Sequence, residues 1–281
     1  MLIFTEKKLL SSHLLSLQQG NKAIGFVPTM GALHKGHLSL IAKSLHENDT
    51  TVVSIFVNPT QFNNKEDLEN YPRALDTDVK KIKSLSEEVI VYAPSNEDIY
   101  DAEIASQNFN YDGLEFQMEG KHRAGHFDGV GTIVKRLLEI IQPKNAYFGE
   151  KDFQQLQIVK ILVEKHNLPV TIIGCPIFRE ENGLAMSSRN ERLSSASREK
   201  ATLIYKTLQE AKKKFKTNSA SRTIDFVENT FKKYPEFTLE YFEIAEEETL
   251  LPIKRKDKTK KYRGFIAVFI ENIRLIDNIA M

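Results

Sequence analysis

Apolar positions recur at helical spacing over residues 5–19, which predicts a surface helix ahead of the first strand. Ile24-Gly25-Phe26-Val27 is then a short apolar run, broken by Pro28-Thr29-Met30-Gly31, and reads as a buried strand. Helical spacing resumes in Leu38, Leu40, Ile41 and Leu45, so a helix begins at His34 or Gly36. Residues 50–57, TTVVSIFV, are rich in β-branched side chains and predict another buried strand. It stops at the polar break Asn58-Pro59-Thr60-Gln61-Phe62. A helix over 76–85 and a strand over 88–92 follow. Residues 95–125 have polar loop composition with a strand near Phe109. Beyond them the pattern predicts a helix over 130–141, a strand over 146–148 ending at Gly149, a helix over 152–166 and a strand over 170–174. This alternation predicts an α/β fold on a doubly wound, Rossmann-like parallel sheet.

After about Phe178 the pattern changes. Helices are predicted over 194–215 and 221–232, and antiparallel strands over 237–244 and 265–273, which make a smaller α+β unit. Between those strands, residues 254–263 (KRKDKTKKYR) read as a solvated hairpin loop, with RNA contact as the alternative use of its charge. The expected division is 1–178 and 179–281, with the second domain closing over a site on the first. No internal repeat or low-complexity linker separates them, so they should be closely apposed.

Composition narrows the class. The chain has 281 residues, enough for a large core, and its 41% hydrophobic and 27% charged content is that of an ordinary globular protein. A net charge of +1 gives no general reason to expect a nucleic acid or membrane partner. The lone Cys175, beside Ile172, Ile173 and Pro176, cannot form an internal disulfide and reads as a buried strand end. The N-terminal MLIFTEKKLL lacks the order of a signal peptide, and no apolar run approaches the roughly 20 residues that span a bilayer. A soluble cytoplasmic protein is expected.

The chemistry gathers where strands give way to helices. His34 and His37 lie where a strand's carboxyl end faces a helix N-terminus, an address whose N–H groups suit a phosphate chain. Gly31 and Gly36 there remove Cβ atoms that would keep a nucleotide from the backbone. A metal site is the alternative, but HEXXH spacing is absent and there is one cysteine. Gly149-Glu150-Lys151-Asp152 has the same address, with Lys151 a mobile cation, although Asp152 and Gln155 also make a good capping pair. Met186-Ser187-Ser188-Arg189-Asn190 is either a phosphate clamp or a loop preceding a helix. Asn58 and Gln61 sit at another strand end, where Asn-Pro is also plain turn chemistry.

Taken together, five strings form a pattern. PTMGALHKGH (28–37), with its HxGH core, resembles the signature of the nucleotidyltransferase superfamily, and more narrowly that of the pantoate–β-alanine ligases (pantothenate synthetases). Asn58-Pro59-Thr60-Gln61-Phe62 resembles that family's NPxQF segment, and residues 119–127, EGKHRAGHF, resemble its EGxxRxGHF segment. GEKD follows at 149–152. Ala185-Met186-Ser187-Ser188-Arg189 is similar to KMSKS without its first lysine and with arginine for the second, the form those ligases carry.

The resemblance implies ATP-dependent condensation of pantoate with β-alanine through a pantoyl adenylate, releasing AMP and pyrophosphate. It implies His37, His34 and Lys151 as catalytic residues, His37 as proton donor. ATP contacts would fall on Met30, Gly31, Ala32, Leu33, His34, Lys35, Gly36 and His37, and on Gly149, Glu150, Lys151 and Asp152. A backbone group near Phe178 would join them, with Met186, Ser187, Ser188 and Arg189. Pantoate would be held by Gln61 and Gln155, and β-alanine by Gln61. Asn58, Arg123 and His126 are further substrate-site candidates. Mg²⁺ would arrive with ATP, with no metal held by protein side chains. A homodimer is expected, and neither a nucleic acid nor a membrane partner. The competing readings are a nucleotidyltransferase acting on RNA through Lys254–Lys261, or building a dinucleotide, and a nucleotide binder without turnover.

Overall fold

The computed structural model describes residues 1–63, 65–101 and 103–281; Ala102, within the polar stretch 95–125, lies outside the described residues. The chain opens with β1 (Leu2–Phe4), α1 (Lys7–Gln19), β2 (Ile24–Thr29), α2 (Lys35–Glu47) and β3 (Thr50–Ile55). It continues through α3 (Lys65–Glu69), α4 (Leu75–Lys83), β4 (Ile90–Tyr92), α5 (Asn96–Tyr100), α6 (Met118–His122) and α7 (His126–Ile141). Next come β5 (Asn145–Gly149), α8 (Phe153–Lys165) and β6 (Thr171–Cys175). The last part holds α9 (Ser195–Lys200), α10 (Thr202–Thr217), α11 (Ala220–Phe231), β7 (Phe237–Glu246), β8 (Tyr262–Ile270) and β9 (Ile273–Ala280).

Strands read as continuous apolar runs are buried on both faces, as parallel strands under two helix layers must be. Along β2, Phe26 packs on one side of the sheet with Leu14, Val130 and Leu156. Val27 packs on the other with Ile41, Val53 and Ile82. Each such side chain contributes about 1.5–3 kcal/mol on burial. Among the described residues the sheet runs β1-β4-β3-β2-β5-β6 with every pairing parallel. The order reverses at β2: the chain first builds outward to β3 and β4, then returns to add β5 on β2's other edge. The loops leaving β2 and β5 therefore diverge and open a crevice at their carboxyl ends, the ligand site of open α/β sheets.

Several expectations change. β1 was absent from the predicted pattern because it is an edge strand whose Leu2 and Ile3 stay about half exposed (49% and 47%), so no buried alternation marks it. Among the described residues no strand forms near Phe109. Phe109 N–H donates to Asp128 Oδ1 (3.0 Å) and Gln107 N–H to Thr132 Oγ1 (2.8 Å), so α7 side chains satisfy this backbone in place of a sheet neighbour. α7 itself starts at His126, four residues before its apolar spacing becomes visible.

In the C-terminal part, α10 and α11 cover the antiparallel sheet β7-β8-β9 around Ile204, Leu208, Val227, Phe242, Ile266 and Leu275. The predicted helix 194–215 is divided at Ala201, buried between α9 and α10. The predicted strand 265–273 is two strands. They turn at Glu271-Asn272, both with left-handed φ (51° and 60°), the geometry of a tight hairpin. Residues 254–261 are the exposed β7–β8 loop, as read, but Tyr262 and Arg263 belong to β8 and are buried. Phe265 of β8 packs on Phe153 of α8, which joins this sheet to the first core.

Candidate active site

The loop after β2 is fixed before it reaches the cavity. Thr29 Oγ1 donates to Ser54 O (2.7 Å) and accepts from Gly31 N–H (3.2 Å). Gly31 and Ala32 then take left-handed φ values of 82° and 50°. That turn aims the Ala32 and Leu33 N–H groups at the buried Asp78 carboxylate of α4 (2.9 and 2.7 Å), while Lys81 Nζ reaches Leu33 O (2.6 Å). The Ala32 and Leu33 amides are thus committed to Asp78, and the Leu33 side chain lies in the core. Gly31 is required for its φ and for the closeness of Asp78, 3.1 Å from a Cβ there.

α2 opens with a capping box built from two histidines. His34 Nδ1 accepts from Gly36 N–H (3.1 Å), and His37 Nδ1 accepts from His34 N–H (3.3 Å). The rings stack with centroids 4.0 Å apart. A Cβ on Gly36 would meet the His34 ring at 2.9 Å, so this glycine makes room for histidine. With each Nδ1 accepting, each Nε2 carries the proton, and both rings are neutral donors. Burial, then the charges of Lys151 and Lys81, lower His34 to about 4. Burial, then His34, Lys151 and Lys81, hold His37 well below the usual histidine range. Both Nε2–H groups are thus left as neutral hydrogen-bond donors at the start of α2.

β5 ends at Gly149, and a single 3₁₀ turn, Glu150–Asp152, leads into α8. Asp152 makes no side-chain cap on α8, so the capping alternative with Gln155 is not realised. Its carboxylate lies 3.7 Å from Lys151 Nζ. From the far side, Met186 N–H pairs with Phe178 O (3.0 Å), and Ser187 caps a 3₁₀ helix, Ser188–Arg192. Arg189 and Arg192 grip Asp67 of α3 at 2.8 and 3.0 Å. Burial pushes the Asp67 carboxyl up, but the two arginines outweigh it and hold it low. The Tyr71 hydroxyl sits 3.3 Å from Ser188 Oγ.

Asn58 is buried and saturated. Its Nδ2 donates to Gln61 Oε1 (3.2 Å) and Gly129 O (3.1 Å), and its Oδ1 accepts from Thr60 and Tyr100 hydroxyls. It orients the Gln61 amide so that Nε2, 3.1 Å from Met30 Sδ, is the group offered inward. His126 donates from Nδ1 to Gln61 O (2.8 Å), and burial, then Arg123, lowers it to about 4. Arg123 and His126 thus brace Gln61 beside a small adjoining cavity. The segment 119–127 also docks on the C-terminal sheet: Glu119 accepts from Arg274 (2.7 and 2.8 Å) and Tyr241 (2.6 Å), and His122 stacks on Tyr241.

One cavity collects Met30, His34, Gly36, His37, Asn58, Gln61, Gly149, Lys151, Asp152, Gln155, Phe178, Met186, Ser187, Ser188 and Arg189. Phe56, Val130, Val134 and Leu137 form an apolar wall. Gly31, Ala32, Leu33, Lys35 and Glu150 lie outside its lining, and Arg123 and His126 line the adjoining space shared with Lys151, Asp152 and Gln155. Tyr71 lines the cavity, and Asp67, Asp78 and Lys81 hold its loops, but none of the four lies in a string that suggested the site. Neutral donors, two cations and hydroxyls around one crevice suit a polyanion next to a small apolar acid. Among the described residues no group of three His, Cys, Asp or Glu side chains is placed to hold a metal, and no helix is long and apolar enough to cross a membrane.

The buried His126 and the half-buried His34 and His37 make a pH prediction. Unfolded, they bind protons below about 6.5; folded, His34 and His126 resist until about 4. The unfolded state therefore binds more protons in that window, and stability falls as pH drops through it. Ligand-free melting should fall steadily from pH 6.5 to 4, with an NMR titration midpoint for His34 near 4. A His34 midpoint near 6.5 would contradict the neutral box.

The sequence profile of the pantoate-beta-alanine ligases matches residues 2–280. The pantothenate synthetase of Flavobacterium psychrophilum is 62% identical over 281 residues, covering all of both chains, and that of Christiangramia forsetii 54%, covering all of this chain and 99% of its own. The pantothenate synthetase crystal structure from Thermus thermophilus superposes with a TM-score of 0.90 at 38% identity, covering 99% of each chain. The pantoate-beta-alanine ligase of Francisella tularensis, complexed with beta-gamma ATP and beta-alanine, superposes with a TM-score of 0.81 at 37% identity, covering all of this chain and 97% of its own. The chain belongs to the pantoate–β-alanine ligase family.

Proposed function

We propose that the crevice at the carboxyl ends of β2 and β5 carries both half-reactions of this ATP-dependent ligase, which joins pantoate to β-alanine through an amide bond. The observation that supports it is the convergence of the His34–His37 box, Lys151 and the Ser187–Arg189 turn on one cavity. The pantoate carboxylate is ionised at neutral pH and needs no base to attack the α-phosphorus. Its oxygen bonds to phosphorus as the bond to pyrophosphate breaks, so the protein must align the reactants and neutralise charge. His34 and His37 donate from Nε2 to phosphate oxygens, Lys151 faces the α-phosphoryl group, and Ser187, Ser188 and Arg189 hold the leaving pyrophosphate. Met30, Gly149 and the backbone near Phe178 border the nucleoside.

Gln61 Nε2 and Gln155 take the pantoate hydroxyl and carboxylate, and Val130 and Val134 cover its geminal methyls. The β-alanine amine, approaching past Gln61, attacks the acyl carbon and expels AMP. Mg²⁺ fits as an ion carried on the ATP phosphates, with the Asp152 carboxylate at the cavity as the residue to receive it; there it would neutralise phosphate charge. The division near Phe178, a cytoplasmic location and a homodimer complete the reading. Sedimentation at micromolar concentration tests the homodimer.

Pantoate carrying ¹⁸O in its carboxylate tests the chemistry. One labelled oxygen should appear in AMP, by mass spectrometry. Unlabelled AMP would rule out the acyl adenylate. Gln61 placement is tested separately. A Cβ on Gly129 would lie 2.3 Å from Thr60 O and 2.7 Å from Gln61 Cα. Gly129→Ala should cost about 1–3 kcal/mol of stability and raise KM for pantoate more than KM for ATP. An unchanged KM would detach Gln61 from pantoate.

A further inference from the structure

Asn278 of β9 is buried, at 2% exposure, and donates from Nδ2 to two main-chain carbonyls of the catalytic part, Glu150 O and Lys151 O, both at 2.9 Å. Its orientation is set by others. Arg263 Nη1 donates to Asn278 Oδ1 (2.7 Å), so the amide cannot flip. Arg263 is itself held by Glu247 (2.9 Å) and stacked over the Phe153 ring at 4.0 Å. Before it in sequence, Asp277 accepts two hydrogen bonds from Arg179 (2.6 and 2.9 Å) and one from the Asn278 N–H (2.8 Å), which fixes this strand locally. A clamp of this kind on two consecutive carbonyls fixes the turn that aims Lys151.

We infer that Asn278 is a positioning residue for Lys151: the last strand of the chain sets the aim of the lysine at the end of β5. The inference rests on the proposed role of Lys151. Asn278 lies outside the lining of the main cavity and borders only the small adjoining one, and both hydrogens of its amide are spent on the turn, so its effect on the reaction passes through the turn. The C-terminal sheet is thereby more than a cover, since a shift of β9 against α8 moves the lysine with it. A misplacement of about 1 Å at such a group can cost up to about 10²-fold.

The test is a double-mutant cycle on the full chain, following pantoate-dependent pyrophosphate release. Asn278→Ala should lower the rate about 10- to 50-fold, while KM for ATP and pantoate changes less than about threefold. In a Lys151→Met background the same change should cost less than about twofold, because the aim of an absent amine is immaterial. Asn278→Asp keeps the shape and the Arg263 contact while removing both donated hydrogens, and should behave like Asn278→Ala if the alanine variant folds poorly. Equal losses in both backgrounds, or a wild-type rate in the folded aspartate variant, would overturn the inference. Wild-type turnover in Lys151→Met alone would instead overturn the reading of the lysine.

Discussion

His37→Ala should lower pantoate-dependent pyrophosphate release by about 10²–10³-fold, the usual loss when one transition-state donor is removed. His37 is half-buried, neutral and oriented, and its Nδ1 accepts the His34 N–H, which leaves Nε2–H as a donor that needs no reorganisation during reaction. Alanine also removes an acceptor from the capping box, worth about 1 kcal/mol of stability. His37→Asn separates these effects, because its amide oxygen can still cap His34 without placing a donor at the Nε2 position. Melting should recover in the asparagine variant and the rate should not. A near-normal rate in both variants would remove His37 from the chemistry.

Lys151→Met is expected to cost about 10² or more in the same half-reaction, because the cation proposed to face developing phosphate charge is lost while the stem is retained. Lys151→Arg should recover little, since a planar fork does not occupy the place of a compact ammonium. The substitution carries a second readout, independent of turnover. After burial, the nearby Lys151 charge does most to lower His34 to about 4, so without it the His34 titration should move upward. An unmoved midpoint, followed by NMR, would show that the amine does not lie where the site requires it.

Much of the site was legible because its chemistry is local. His34, Gly36 and His37 lie in one turn, Lys151 and Asp152 in another, and strand-to-helix transitions placed both at carboxyl ends. Their meanings were less legible. Gly36 reads as access for a nucleotide and in the fold also makes room for the His34 ring, and Asn58 reads as a substrate contact and also orients Gln61. Asp78 grips Ala32 and Leu33 from 46 and 45 residues away, and Asn278 grips Glu150 and Lys151 from 128 and 127, separations no spacing rule detects. The fold was missed where burial does not alternate. β1 is half exposed, the backbone near Phe109 is satisfied by side chains, and Glu271-Asn272 turns without the glycine that usually marks such a hairpin.

The central claim is that one cavity first joins pantoate to AMP and only then admits the amine. Rapid-quench measurement of pyrophosphate with ATP, Mg²⁺ and pantoate, β-alanine withheld, tests it most directly. The account predicts a burst near one equivalent per active site that requires pantoate, followed by steady turnover with AMP release once β-alanine is added. Pyrophosphate release without pantoate, or none until β-alanine is present, would contradict it.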